Sequence, residues 1–249
     1  DARAIATNVK TAGVVGYNVQ AAVETKHHLI VAHEVTNVGS DRGQLSKMAK
    51  QARAALHAED LTALADRGYY NSEELLACHE AGITIYIPKP ETSNAQAAGR
   101  FARRDFHYDA KTDTYRCPAG DRLIRRMTSQ EDGRILHRCW SANCRRCSLK
   151  PRCTPSKERR VTRWAHEAVL DAVQKRLDHD PGKLRLRKQT VEHPFGTIKA
   201  WMGASHFKMK TLKHVSTEMS LHVLAYNLRR VMRSEEHTSE LQSLRHLVC

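Results

Sequence analysis

The sequence predicts an α/β protein: a mixed sheet with flanking helices, interrupted by a Cys-rich basic insertion. Three observations lead there. Short β-branched runs alternate with amphipathic helical stretches up to about residue 90, the order that builds layered α/β folds. From about 91 to 162 the rhythm stops, and five of the chain's seven cysteines fall in that stretch. Helical patterning then returns between Trp164 and Met232.

Val14 to Val23 and Leu29 to Thr36 are β-branched runs on either side of the polar Glu24 to His28, which reads as a hairpin. Leu45, Met48, Ala49, Ala52, Ala55 and Leu56 recur at three- and four-residue steps, giving an amphipathic helix from Gln44 to Leu56. Leu61 to Ala65 is a short buried strand. Asn71 or Ser72 caps a helix through Ala81, with Glu73 and Glu74 in its acidic first turn. Gly82 closes it, and Ile83 to Ile87 is a strand ahead of Pro88 and Pro90. Three helices follow, Trp164 to Leu177, about Thr190 to Trp201, and Val215 to Met232. The expected divisions are 1–90 for the sheet, 91–162 for the insertion, 163–232 for the C-terminal helices and 233–249 for a tail outside the fold. Arg233 to Ser243 in that tail resembles a translated DNA-sequencing adapter.

At 249 residues and 41% hydrophobic content the chain can bury a sizeable core. Its net charge of +14 favours a polyanionic partner, with nucleic acid first among them. Between Arg100 and Arg160, 17 Lys and Arg stand against 7 Asp and Glu, so the excess is concentrated in the insertion. No apolar run approaches the roughly 20 residues of a bilayer-spanning helix, and no signal segment opens the chain, so a soluble cytoplasmic protein is expected. It begins at Asp1 without a methionine, and further sequence upstream is expected.

Two carboxylates stand where a metal-dependent nuclease would place ligands. Asp66 ends a short apolar strand and is followed by Gly68, which lets the backbone turn at a sheet edge. Glu192 lies among cations. On an ideal helix Lys188 is about 40° from Glu192 and Lys199 about 20° from Lys188, so the three share one side. Proline is comfortable only in a first helical turn, so Pro194 places the helix start near Thr190 and Lys188 ahead of it. Asp66 as a loop cap and Glu192 as a solvated charge are the bland readings. His193, beside Glu192, is a candidate phosphate or metal-water contact. The remaining histidines read as ordinary surface or core residues.

Cys144-Arg-Arg-Cys147, with Cys153 downstream and Cys117 or Cys139 upstream, has the form of a four-thiolate zinc site that would order a small insertion with little core. Reduced free thiols are the alternative. Cys78 reads as helix packing, and Cys249 belongs to the tail.

Gly16-Tyr-Asn-Val-Gln-Ala-Ala-Val23, Ala65-Asp-Arg-Gly-Tyr-Tyr70, Thr190-Val-Glu-His-Pro-Phe-Gly-Thr-Ile-Lys199 and Ala225-Tyr-Asn-Leu-Arg229 resemble, in order and over residues 1 to 232, segments of bacterial insertion-sequence transposases of the DDE class. The resemblance implies an incomplete RNase H-like sheet without its first strand. It makes Asp66 the second catalytic acid and Glu192 the third, both ligands of Mg²⁺ or Mn²⁺, with Lys199 on phosphate. Lys188 takes the family's arginine place, and Arg185 stands where the family has tyrosine. The first aspartate is implied upstream of residue 1; Asp1 falls in the family's linker, and Asp41 reads as a loop or sheet-edge residue. Cys117 is the fourth thiolate that the resemblance favours. Also implied are DNA as substrate, at element ends and target, strand cleavage followed by attack of the freed 3′ hydroxyl, a bacterial nucleoid-associated setting, and a homo-oligomer at full length. Without its first acid the chain is expected to be inactive. The rival reading is a non-catalytic, zinc-dependent DNA-binding protein with the sheet as scaffold.

Overall fold

The computed structural model describes residues 2–5, 14–90, 94–235 and 246–248. Asp1, Cys249 and residues 236–245 lie outside the described residues. The chain folds as two compact units, residues 1–90 with 169–249, and Glu91–Ala168.

The first unit is built on a five-stranded sheet. Strands β3 (Asn18–Glu24), β4 (Ile30–Thr36), β5 (Leu61–Leu64) and β6 (Ile83–Tyr86) are joined by β12 (His246–Val248), in the order β4-β3-β12-β5-β6. β3 is antiparallel to β4 and β12, while β12, β5 and β6 run parallel. The tail that sequence patterning places outside the fold thus contributes three residues between β3 and β5. A separate two-stranded sheet pairs β1 (Arg3–Ile5) with β2 (Val14–Gly16).

Alternation along β3 sends Ala21 and Val23 to one face and Gln20, Ala22 and Glu24 to the other, all of them buried. Helices α1 (Leu45–Ala55) and α2 (Ser72–Glu80) belong to one layer: α1 packs on β3 and β4, α2 packs on β6, and the two pack together. The α1 start has no side-chain cap of its own, and the Glu74 carboxylate accepts from the Ser46 amide at 2.8 Å instead. Asn71 caps α2 by accepting from the Glu73 amide at 3.0 Å, and Gly82, at φ 70°, follows its end. Cys78 is fully buried, and burial pushes its thiol up to about 11.

Ala21, Val23, Ile30 and Val35 bury against Val215, Met219, Val223 and Tyr226 of α5 (Leu212–Glu235) and against Ile198. Polar contacts complete that docking. Asn227 accepts from the Ile30 amide at 2.9 Å and donates to the Ile30 carbonyl at 2.8 Å, standing in for a neighbouring strand. The Tyr226 hydroxyl donates to His28 O at 2.8 Å, and Arg230 donates to His27 O through two nitrogens. The Tyr-Asn pair of the Ala225–Arg229 motif is therefore the clasp that holds α5 on the β3–β4 turn.

α3 (Glu167–His179) lies across the division of the chain, and its Arg176 donates to Ile85 O at 3.3 Å. α4 (Gly182–Gly196) begins well before the expected Thr190 start. Lys188 is therefore inside the helix, and Pro194 sits in its last turns. Pro194 lacks the amide that would bond to Thr190 O, and beyond it the chain passes into a π turn, Thr197–Trp201, closed by Met202 N donating to Thr197 O at 3.0 Å.

The second unit holds the other main departure. Where the sequence shows no apolar rhythm, the chain forms a five-stranded antiparallel sheet: β7 (His107–Asp109), β8 (Thr114–Arg116), β9 (Arg122–Glu131), β10 (Arg134–Trp140) and β11 (Val161–Trp164), in the order β11-β10-β9-β8-β7. Its small core is Phe106, Tyr115, Leu123, Cys139 and Val161. Guanidinium groups supply what apolar side chains lack: Arg163 stacks 3.6 Å from the Tyr108 ring centre and Arg159 lies 5.2 Å from that of Phe106. Arg103 donates to Thr162 O and to Glu167 Oε1 at 3.0 Å, and Glu167 accepts from the Trp164 amide.

Asn227→Ala is expected to leave both Ile30 backbone groups without their partner. A loss of about 1–3 kcal/mol should appear as a lower urea midpoint with an unchanged slope.

Candidate functional site

Because β4, β5 and β6 share one direction and β3 opposes it, the ends of β4 and β5 meet the start of β3 at one edge of the sheet. Ligand sites of α/β sheets form at such carboxyl edges. Ala65 still donates to Tyr86 O at 3.0 Å, so the strand pairing holds through residue 65 and releases the chain at Asp66. The Asp66 side chain is 55% exposed, and Arg187 Nη1 lies 3.7 Å from its Oδ1. This contact brings α4 to Asp66.

Asp41 lies at the same edge. Its Oδ1 accepts from Asn18 at 2.7 Å and from Gln20 at 2.8 Å, and Gln20 accepts from the Tyr69 hydroxyl. A side-chain relay thus ties Asp41 through β3 to the turn that follows Asp66. Gly68 in that turn is outside the left-handed region, and a Cβ there would meet Asp41 Oδ2 at 3.5 Å, an ordinary contact. The turn therefore does not require glycine, contrary to the sequence reading.

Glu192 is exposed on α4, about 160° around the helix from the fully buried Thr190. Lys188 is exposed beside it, and Lys199, also exposed, falls in the π turn, off the ideal phase. The residue that the fold brings to Asp66 is Arg187, and among the described residues no hydrogen bond or ion pair links Asp66 to the helix through Glu192. Arg187 has no distinguishing signal in a run already rich in Arg and Lys. His193 turns to α5, with Nδ1 3.3 Å from the Tyr226 hydroxyl and its ring 5.5 Å from that of His28. Burial, then Arg230 and His28, hold its pKa below the usual histidine value.

In the second unit, Cys117, Cys144, Cys147 and Cys153 line one cavity of about 350 Å³. Cys139 is buried in the sheet core instead. The Cys117 amide donates to Asp121 O at 2.9 Å, and the Asp121 carboxylate accepts from Ser141 at the cap of the turn that carries Cys144. Two cysteine-bearing loops are pinned by that bond. The Ser141 hydroxyl, above all, holds the Asp121 carboxyl below its ordinary value. Burial raises the Cys153 thiol; Arg159 opposes this, and Cys144, Cys117 and Cys147 add to it. Among the described residues no three His, Cys, Asp or Glu side chains are already drawn into metal-ligand geometry.

Residues 116–232 match the family model described as Transposase DDE domain. That span carries Lys188, Glu192, Lys199 and the four cavity cysteines, and it does not reach Asp66. The match supports a DDE-type transposase, a class that cleaves and transfers DNA and generally uses divalent metal ions. Searches against curated proteins and against solved structures gave no match. No helix among the described residues is long and apolar enough to cross a membrane.

Two pH effects follow. A histidine held below its unfolded pKa favours the folded state when neutral, so His193 contributes above its ordinary range, and that contribution is lost as pH falls. An NMR titration should give a His193 midpoint under 6.5. A depressed Asp121 acts above the ordinary carboxylate range, and its contribution fades as pH drops through its folded value. Ser141→Ala should move its midpoint up toward 3.8.

Proposed function

We propose that this chain is the catalytic part of a DDE transposase that cleaves and transfers DNA strands, with Asp66 and Glu192 as two of its acids. The observation that carries this reading is Asp66 released at the carboxyl edge of the sheet, with α4, the helix of Glu192, reaching it through Arg187. The family match over α4 supports it independently.

The exposed Asp66 carboxylate fits a hard cation such as Mg²⁺ or Mn²⁺, with Asp41 near enough through the Gly68 turn to support it. When bound, such a cation supplies charge neutralisation for a phosphodiester and a more acidic attacking hydroxyl. The residues themselves divide the remaining work. Arg187 holds Asp66 and can move from it to a phosphate, Lys188 and Lys199 offer exposed cations to the DNA backbone, and the Asn18–Gln20–Tyr69 relay fixes the loop. Cys117, Cys144, Cys147 and Cys153 are proposed to hold one Zn²⁺ that orders the second unit, since these four thiols share a cavity and Cys139 does not.

One observation favours the second reading, a non-catalytic DNA-binding protein: Glu192 is exposed to solvent. Activity measurements separate the two. This chain by itself is expected to bind DNA without cleaving it; joined to the upstream aspartate that the resemblance implies, it should nick or join DNA carrying the element's ends only with Mg²⁺ or Mn²⁺. In that joined protein Asp66→Asn and Glu192→Gln should each lower the rate at least a hundredfold, about 2.7 kcal/mol in the barrier, while DNA binding persists. Activity that survives both substitutions would sink the assignment. Metal analysis of reduced protein should find one zinc per chain, lost in Cys144→Ser, and a metal-free, fully folded protein would remove the zinc proposal.

A further inference from the structure

The outer face of the second unit's sheet carries arginines that its core does not use. Register places Arg116 opposite Arg122, Ile124 opposite Trp140, and Met127 opposite Arg138. Leu123, Cys139 and Val161 point into the core, so their alternate neighbours Arg122, Ile124, Arg138 and Trp140 share the opposite face. Arg160 extends the row, its guanidinium 5.0 Å from the Trp140 ring centre. Arg126, at the register shift in β9, donates to Trp140 O at 3.1 Å. Against these cations stand Glu131, bonded to Arg138, and Glu158, 2.8 Å from Arg160. The face remains strongly positive.

We propose that this arginine face, centred on Trp140, binds the phosphodiester backbone of duplex DNA. The choice of DNA over RNA rests on the transposase reading; the surface itself does not. Charge complementarity selects a polyanion, and the geometry selects its backbone. A guanidinium stacked on an aromatic ring is held in place; that of Arg160 donates through Nε and Nη2 to the Glu158 carboxylate, a partner that phosphate oxygens can replace. Trp140 is half-buried with Arg160 over it, so it offers no open platform for an unpaired base. Insertion of the β9–β10 tip into a groove is opposed by Glu131 and Asp132, which lie at the turn. What remains is a cationic sheet face laid along phosphates, independent of base sequence.

The test is fluorescence anisotropy of the full chain with a short labelled duplex of arbitrary sequence, titrated with NaCl. Removing one phosphate-binding cation should flatten the plot of log affinity against log salt by about 0.9. The triple variant R122Q/R138Q/R160Q should therefore lose about three units of slope. The corresponding triple lysine variant should keep the slope and lose affinity, because it retains charge without the stacked fork. A control triple removing equal charge from the same unit, K111Q/R145Q/K157Q, should leave the slope unchanged. Equal losses in both glutamine triples would assign binding to bulk charge and overturn the proposal, as would a wild-type slope in the face triple. Tighter binding to single strands or to RNA duplex would also overturn it. Circular dichroism checks the fold, and R122Q alone, at an exposed position outside the core, provides a single-residue version. Asp66→Asn, at the carboxylate proposed for the metal, should leave the slope intact, so a failure of the arginine face and a failure of the Asp66 assignment are separate outcomes.

Discussion

Backbone groups at the turn between β3 and β4 have to be satisfied wherever that turn is covered, because an unpaired buried amide or carbonyl costs about as much as a missing hydrogen bond. The carbonyls of His27, His28 and Ile30, with the Ile30 amide, all find partners on α5. That set of bonds fixes α5 in rotation and height, and so decides which of its residues meet Ala21, Val23, Ile30 and Val35. With β3 seated, Asn18 and Gln20 are placed to hold Asp41, and Gln20 to receive Tyr69. The surroundings of Asp66 therefore depend on contacts made at the far end of the same hairpin.

The elements that announce themselves in sequence are those whose burial is carried by aliphatic side chains at regular steps. α1, β5, α2 and β6 are legible because Leu45, Met48, Ala49 and Ala52, then Leu61, Ala63 and Leu64, then Ile83 and Ile85 are all buried in phase with their elements. β7 to β11 are not, because arginine occupies places where alternation calls for apolar residues. A guanidinium against Tyr115, Phe106, Trp140 or Tyr108 buries hydrocarbon as effectively while reading as charge. Asp132-Gly133, with both residues at positive φ, is a hairpin signal in plain sight between two such strands.

At the candidate site the strand-end position of Asp66 is legible, since an apolar run and an abrupt polar end suffice to mark it. Arg187 is not, because pairing between α4 and the edge of β5 is set by tertiary approach alone. The start of α4 escapes sequence reasoning for a definable reason: proline penalises the helix interior by removing one amide and crowding the preceding turn, which argues for a start near Thr190, yet α4 carries Pro194 in its interior all the same. The Arg187–Asp66 contact is long, at 3.7 Å, and its carboxylate end is open to solvent, so the contact itself contributes little to stability although Arg187 is largely buried.

The π turn at Thr197–Trp201 has a consequence for how this chain tolerates changes in length. A turn closed by an i to i+5 bond contains one residue more than the α-helical turn it replaces. Deleting a single residue there would convert it to regular helix, and because the wider turn already takes up the extra residue, everything beyond it would keep its phase against α4. Ile198, buried against α5, and Lys199, exposed, lie inside the turn, so the change would be confined to them and their immediate neighbours. The segment is thus a place where the chain can shed one residue while the elements on either side hold their faces.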